Sequence, residues 1–477
     1  MGHDNQGRRV TKPLWQYSAV DLHQGLTRRD FSAEQIMVSV IERLKTENPT
    51  LNAVVFDYSE QALVAAQQVD DRIQRGQPLR KLEGIPVTIK VNVDYEGTPN
   101  TNGLPLLANN LSPDNSPIVQ NLLNEGAIIF GKTNTPELSM RITTDNPLHG
   151  RTQSPWGEKV SPGGSSGGAG AACAAGIGPI HHGNDIAGSL RFPASCCGCA
   201  TVKPGLGRVP AFNPSATGER GLLSQLMSVQ GPIAREVKDV RLALEVMAQS
   251  DPRDPWWAPV PFYGSSTAGP IDVAVIKSSE GYPIHPEVLA AIDHAAGVLE
   301  NAGYRVQEVS APSVMPAASA WMNVALFEIK AGLDALARQH GSTTLQNIFD
   351  YYYAMSEMVD AQGYMQGIAD RSGIIRPWNV FLDQYPLVLT PFLMRPTYDY
   401  DEDETFAGAK DLFDAAVYSY GINYMGLPAG NVPMGLIEGR PSGVQIVGQR
   451  FREDMILDAL EVIEDAVGVL STSLWAG

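Results

Sequence analysis

The sequence predicts an α/β fold: a single large domain in which a mixed, twisted β-sheet core is flanked by α-helices. Three observations carry that reading. Residues 272–276 and 304–308 read as short strands on either side of a helical stretch at 286–302, the βαβ pattern that sets two strands side by side in one sheet. Ile85, Val87, Ile89 and Val91 alternate with Pro86, Thr88 and Lys90, the period-two signature of a strand. No low-complexity linker and no internal repeat interrupts the chain, so one domain over 1–477 is preferred although the length alone allows about three.

The elements follow in order. Residues 1–70 read as helical: Ser18 is placed to cap a short helix, and Ser32-Ala-Glu-Gln-Ile-Met-Val-Ser-Val-Ile-Glu-Arg-Leu repeats its apolar positions at helical spacing. From Gly84 the texture changes to short strands, and Lys90 closes the first of them facing away from its apolar row. Residues 118–125 read as a helix, 127–130 as a buried strand, and Pro136-Glu137 as the opening of another helix. Residues 146–205 are dense in Gly, Ser and other small residues, a composition that brings backbone close to backbone. The acidic run 401–404 reads as a solvated turn; Gly430-Asn-Val-Pro-Met-Gly and Gly443-Val-Gln-Ile-Val-Gly read as two more strands, before a helix at 453–466.

Composition narrows the function classes. With 35 Lys+Arg against 52 Asp+Glu the formal net charge is -17, which repels a polyanion, and the basic pairs Arg8-Arg9 and Arg28-Arg29 are too small to make a nucleic-acid patch. Hydrophobic residues at 43% and charged residues at 18% are those of a globular protein with a sizeable core, not of a disordered chain. No apolar stretch approaches the roughly 18 to 20 residues of a membrane helix. The start, MGHDNQGRRVTKPL, lacks the apolar region of a signal peptide, so a soluble cytoplasmic protein is expected. Cys196, Cys197 and Cys199 are too crowded for mutual disulfides. With His181 and His182 upstream they invite a metal reading, but zinc knuckles pair Cys-x2-Cys units from two places, so small buried residues are the expectation, with no metal and no cofactor.

Two familiar patterns are set aside. Gly126-Ala-Ile-Ile-Phe-Gly131-Lys132-Thr133 matches the phosphate-cradling G-x4-G-K-[ST] pattern, but 127–130 is an apolar strand whose N–H groups belong to a ladder; Lys132 is expected at a strand end, on the surface or behind the site. Gly164-Ser165-Ser166-Gly167-Gly168 matches the nucleophile elbow G-x-S-x-G around Ser166. The residues before it are not an apolar strand, and the last histidine of the chain, His340, comes too early for the elbow's late triad member.

A third constellation joins Lys90 at a strand end, Ser165 in a glycine-rich turn, and Ser189 in Gly183-Asn-Asp-Ile-Ala-Gly-Ser-Leu-Arg-Phe-Pro. These motifs resemble the amidase signature family, with its G-G-S-S-G-G segment and its G-T-D-x-G-G-S-x-R-x-P-A segment. Further matches are Gly131-Lys-Thr-Asn, Thr144-Asp-Asn-Pro-Leu-His-Gly-Arg-Thr, Pro155-Trp156, Lys203-Pro204 and Gly426-Leu-Pro-Ala, so the likeness runs from about residue 16 to 466 and is strongest over 84–205. The resemblance implies the amidase signature fold and a Ser-cisSer-Lys triad of Ser189, Ser165 and Lys90, with Ser165 behind a cis peptide bond. It implies an oxyanion hole from the backbone N–H groups of Ile186, Ala187 and Gly188, with Asp185 and Arg191 as a pair bracing that turn. Two departures stand out: Ala187 where the family has glycine, and Asn184 where threonine is common.

The chemistry of such a triad is self-consistent. A serine hydroxyl needs a base, and a lysine serves if burial beside uncharged neighbours keeps it neutral. Ser165 then relays the proton from Ser189 to Lys90 and later returns one to the leaving group. Aromatic and sulfur residues accumulate over 312–400, a candidate specificity segment: Trp321, Phe327, Tyr351, Tyr352, Tyr353, Met355, Met358, Tyr364, Met365, Trp378 and Phe381. Helical core explains most of them; any that line a cleft would favour apolar or aryl substrates. The expected activity is cofactor-free hydrolysis of a small aryl amide or carbamate through an acyl-enzyme, by a monomer or homodimer. The carbamate-cleaving urethanases look similar in the Gly-Asn-Asp-Ile turn, as do some linear and cyclic amide hydrolases. The alternatives are the amidase subunit of a glutamine-dependent aminoacyl-tRNA transamidase and an anion-binding module built on the glycine-rich turns.

Overall fold

In the computed structural model, which describes residues 12–265 and 269–475, the Ser18 hydroxyl accepts the Asp21 N–H and starts the helix Ala19–Arg28. Arg8-Arg9 and most of the opening segment MGHDNQGRRVTKPL lie outside the described residues. Ser32 and Gln35 form a reciprocal capping box that starts the helix Ala33–Leu51, whose Ile36, Met37, Val40, Ile41 and Leu44 lie buried against the sheet. The helical reading of 1–70 misses one element, the strand β1 (Val54–Asp57), whose four residues are too few to show a period.

Ten more strands follow: β2 (Pro86–Lys90), β3 (Ile128–Thr133), β4 (Ile180–Asp185), β5 (Ala200–Lys203), β6 (Val229–Ala234), β7 (Asp272–Val275), β8 (Arg305–Glu308), β9 (Leu387–Pro391), β10 (Ala429–Ile437) and β11 (Arg440–Gly448). They form one mixed sheet of order β1-β3-β2-β4-β6-β5-β10-β11-β9-β7-β8, with helices packed on it. β2 lies between β3 and β4 and is parallel to both, while β4 and β6 are antiparallel. The predicted βαβ unit is present: β7 and β8 are parallel and joined by the helix Pro286–Asn301. The fold is thus the α/β arrangement read from the sequence.

β3 continues through Gly131, Lys132 and Thr133, so the phosphate-cradle pattern lies within a ladder. Gly131 is needed where β1 crosses close: a Cβ there would stand 2.7 Å from the Phe56 carbonyl oxygen. Lys132 is fully buried rather than superficial, and its Nζ donates to the carbonyls of Val93 and Pro99.

Other expectations need correction. Pro136-Glu137 opens no α-helix: the chain makes one 3-10 turn, Glu137–Ser139, with Leu138 at φ 53 and Ser139 at φ 57. Left-handed backbone at two successive residues ends any helical run. The acidic run 401–404 is not merely a solvated turn, because Asp403 is buried and accepts from Arg141 Nε and Nη2 at 2.9 and 2.8 Å, with Asp401 and Glu404 on the same guanidinium. Cys196, Cys197 and Cys199 are buried thiols; burial pushes Cys196 up to about 12, and among the described residues no three His, Cys, Asp or Glu side chains group to hold a metal ion. Among the described residues no helix is long and apolar enough to cross a membrane.

The segment 312–400 supplies much of a second hydrophobic core beside the main one and contributes β9, a strand of the central sheet. Its helices are Met315–Ala320, Leu326–His340, Thr343–Met355 and Ala361–Gln384, with a π-helical turn, Trp321–Ala325, between the first two.

Candidate active site

Parallel pairing on both sides carries the last residue of β2 into the interior, where Lys90 has no exposed surface. Its Nζ lies 2.7 Å from Ser165 Oγ and 2.8 Å from Asn184 Oδ1. Burial drives this amine well below the ordinary lysine range; the Asp185 carboxylate opposes that shift without cancelling it. Burial therefore shifts this amine toward its neutral form.

Ser165 follows a cis peptide bond, Gly164–Ser165, just before the helix Gly167–Ala174. The glycine is required by contact, since a Cβ at Gly164 would stand 2.6 Å from the Arg141 carbonyl oxygen. Ser166, the elbow serine of the rejected pattern, is fully buried and directed at the Asn184 carbonyl. Its backbone N–H donates to the Ser189 carbonyl at 3.3 Å, which ties the two serine segments together.

The turn before Ser189 is held from outside. Arg191 Nε and Nη2 donate to the Asp185 carboxylate at 3.0 and 3.1 Å, both side chains being fully buried. Burial alone would raise that acid, but Arg191, with Lys203 and Asn423, holds it down at about 2. The Ile186 carbonyl accepts from Trp321 Nε1 at 3.1 Å, and the Ala187 carbonyl from Ser419 Oγ at 2.7 Å. Asn423 Nδ2 donates to the Asp185 carbonyl. In a trans peptide C=O and N–H point opposite ways, so clamps on the Asp185 and Ile186 carbonyls turn the N–H groups of Ile186 and Ala187 the other way. Gly188 differs: its N–H donates to Asp185 Oδ1 at 2.6 Å and is already engaged. Ala187 keeps a negative φ, whereas Gly188 sits at φ 123.

Ser165, Ser189, Asn184 and Ile186 open on one cavity of about 1020 Å³. Its apolar lining includes Leu138, Met140, Ile186, Ile329, Leu333 and Leu336, together with the aromatic rings of Phe212 and Trp256. None of the eleven aromatic and methionine residues singled out over 312–400 lines it; Trp321, Tyr352 and Trp378 are buried in the second core, and Met365 is exposed. That segment reaches the cavity through three aliphatic residues of the helix Leu326–His340 instead.

The neighbouring histidines are both occupied. His182 Nδ1 accepts the Lys90 backbone N–H at 3.3 Å while Nε2 meets Gln230 Oε1 at 2.9 Å; His181 lies between Thr88 Oγ1 and the Gly178 carbonyl. Burial pushes each down to about 3, so both are neutral at pH 7 with no nitrogen facing the serines.

The fold thus brings Lys90, Ser165 and Asn184 into hydrogen-bonding distance and sets Ser189 on the same cavity. Among the described residues the Ser189 hydroxyl has no hydrogen-bond partner of its own. Sequence reasoning missed Asn184 as a partner of Lys90, although its departure from the family pattern was the available signal. Asn92, Trp321 and Ser419 as contacts of this site carry no sequence signal.

A family model described as Amidase matches residues 35–457. The indoleacetamide hydrolase of Bradyrhizobium diazoefficiens is 47% identical over 466 residues, covering 97% of this chain and 89% of that protein. A glutamyl-tRNA(Gln) amidotransferase component from Caldanaerobacter subterraneus is 30% identical, covering 95% of this chain and 97% of its own. Among solved structures, a bacterial aryl acylamidase of the amidase signature family superimposes with a TM-score of 0.83 at 26% identity, covering 95% of this chain and 97% of its own. A family match across most of the length, on the same mixed-sheet fold, has one reading: the chain belongs to the amidase signature family and is a hydrolase of amide C–N bonds.

Proposed function

We propose that this amidase is a free-standing hydrolase of small apolar amides, aryl-substituted amides above all, working through Ser189, Ser165 and Lys90. The observation that carries the reading is the buried amine of Lys90, 2.7 Å from the Oγ of Ser165, which lines the same cavity as Ser189. Neutral Lys90 takes the Ser165 proton as Ser165 takes that of Ser189, and Ser189 Oγ attacks the carbonyl carbon. The oxyanion that forms is met by the N–H groups of Ile186 and Ala187. The C–N bond then breaks, and the proton returns through Ser165 to the leaving amine. A water activated along the same path hydrolyses the acyl-Ser189 ester and releases the carboxylate. Contacts of this kind commonly tighten only when substrate is bound, which accommodates a Ser189 hydroxyl without a partner.

The apolar lining, aliphatic and aromatic, rewards an apolar body on the substrate. A relative named indoleacetamide hydrolase at 47% identity supports an aryl acetamide over the aminoacyl-tRNA substrate of a relative at 30%. Carbamates share the carbonyl chemistry and are the comparison class. The test uses the purified chain alone, without ATP or partner, on a panel of aryl amides, carbamates and esters. Amides are expected to turn over best; Ser189→Ala abolishes both turnover and labelling by a fluorophosphonate, while Ser166→Ala keeps much of each. Labelling that persists in Ser189→Ala, or turnover that requires a second protein, contradicts the proposal.

A further inference from the structure

We infer that Asn184 and Asn92 form a positioning pair that fixes the amine of Lys90 with its lone pair toward Ser165. The inference rests on Lys90 as the base and concerns residues that the proposed triad does not include. A neutral amine offers two N–H donors and one lone pair in roughly tetrahedral directions, and only the lone pair can take a proton. The neighbours must therefore occupy a hydrogen without competing for that pair.

The geometry supplies this. Asn184 Oδ1 faces Lys90 Nζ at 2.8 Å, while Asn184 Nδ2 donates to Asn92 Oδ1 at 2.8 Å. Asn92 Nδ2 in turn donates to Ser139 Oγ at 3.0 Å, and Ser139 Oγ donates to Asn102 Oδ1 at 2.7 Å. Asn184 Nδ2 points away from the lysine; Asn92 Nδ2 also reaches back to Asn184 Oδ1, at a longer 3.4 Å, so this oxygen accepts from both sides and cannot turn away without breaking the bond from Asn184 Nδ2 to Asn92. An acceptor takes an N–H of the amine and leaves the lone pair for Ser165. A threonine at this position, common in the family pattern, offers a hydroxyl able to donate or accept and would not impose that polarity. The asparagine pair thus fixes a direction that a hydroxyl leaves open. Asn92 is held independently, because Asn213 Nδ2 donates to its carbonyl at 2.9 Å.

The charged and titratable groups around Lys90 are few. β4 contributes Asp185, tied to Arg191, and His182, with both ring nitrogens engaged. β3 contributes Lys132, directed at the carbonyls of Val93 and Pro99. The helix Gly167–Ala174 carries no charged residue. A new carboxylate at position 184 would therefore dominate the local balance.

The test is the pH dependence of kcat/KM on an aryl amide for the wild type, Asn184→Asp, Asn184→Leu and Asn92→Leu, with Lys90→Ala as reference. Asn184→Asp keeps the acceptor and adds a charge that favours the lysine ammonium. Its rising limb is expected to move to higher pH by at least about one unit, so activity at neutral pH falls about tenfold or more and recovers toward wild type at the alkaline plateau. Asn184→Leu and Asn92→Leu, which remove the acceptor and its lock, lower kcat about tenfold at every pH with KM nearly unchanged and no alkaline move. An Asn184→Asp profile lowered uniformly, with its limb unmoved, overturns the inference while a dead Lys90→Ala leaves the base in place. Full amide turnover in Lys90→Ala overturns the base itself. If Asn184→Asp does not fold, Asn92→Leu decides: wild-type kcat in that variant overturns the pair.

Discussion

Two lysines end side by side on neighbouring parallel strands, and their surroundings separate them. Lys90 closes β2 and Lys132 sits near the end of β3, paired across the ladder with Ile89. Both are fully buried, and burial lowers both amines: Lys90 well below the ordinary range, Lys132 to about 7, with Asp94 opposing. Their partners differ in kind. Lys132 meets two backbone carbonyls, which only accept, so its protons serve to hold the loop at 93–99. Lys90 meets a hydroxyl, which accepts a proton as readily as it gives one, and an amide oxygen that orients it. In the proposed mechanism burial makes Lys90 available as a base, and the hydroxyl within reach gives it a proton to take.

The sharpest way to break this comparison is to remove each amine. Lys90→Ala is expected to lower amide turnover by about 10²- to 10⁴-fold with the fold retained, and Lys90→Arg not to rescue it, since guanidinium stays protonated. Circular dichroism beside steady-state kinetics checks both. Lys132→Met should do the opposite, leaving the Val93 and Pro99 carbonyls unpaired at a cost of about 1–3 kcal/mol in denaturant unfolding, while the folded fraction keeps its turnover. The pH dependence adds a sign. Below about 7 both folded and unfolded Lys132 carry the proton; between about 7 and the ordinary value of 10.5 only the unfolded chain does. Stability therefore rises with pH across that window in the wild type, and Lys132→Met should lose that part of the slope.

A smaller effect sharpens the account at the oxyanion turn. Trp321→Phe keeps an aromatic ring in the second core but removes the N–H on the Ile186 carbonyl. A turn left freer by one hydrogen bond should lower kcat about tenfold with KM changed little, as expected of a group that orients donors for the transition state. A change in KM alone would place Trp321 in the substrate wall instead.

The residues of the candidate site were legible through the family resemblance, whose motifs fix a lysine and two serines at characteristic intervals and an acid six residues before an arginine. The sheet was legible where period two or a βαβ rhythm lasted long enough, and not in β1, β4, β5, β6 or β9, none of which was read as a strand. The failures share a cause, dependence on contacts distant in sequence. Asp403 reads as solvated until Arg141, 262 residues away, is seen to bind it. Proline followed by glutamate looks like a helix start, yet Leu138 and Ser139 take left-handed backbone as the chain turns along the cavity wall. Within 312–400 the aromatic residues drew attention, but Ile329, Leu333 and Leu336 face the cavity, and aliphatic side chains read alike whether they face a core or a ligand.

The central claim is that neutral Lys90 moves protons through Ser165, and the ratio of ester to amide turnover in Lys90→Ala tests it most directly. An amide departs as a basic amine that must be protonated, whereas an activated aryl ester departs as a stable anion and depends less on the relay. Measured on an aryl amide and a matched aryl ester of the same acid, the ratio should rise about tenfold or more in Lys90→Ala, and likewise in Ser165→Ala, while both rates fall. Equal proportional losses of ester and amide turnover, or undiminished amide turnover, would contradict the relay.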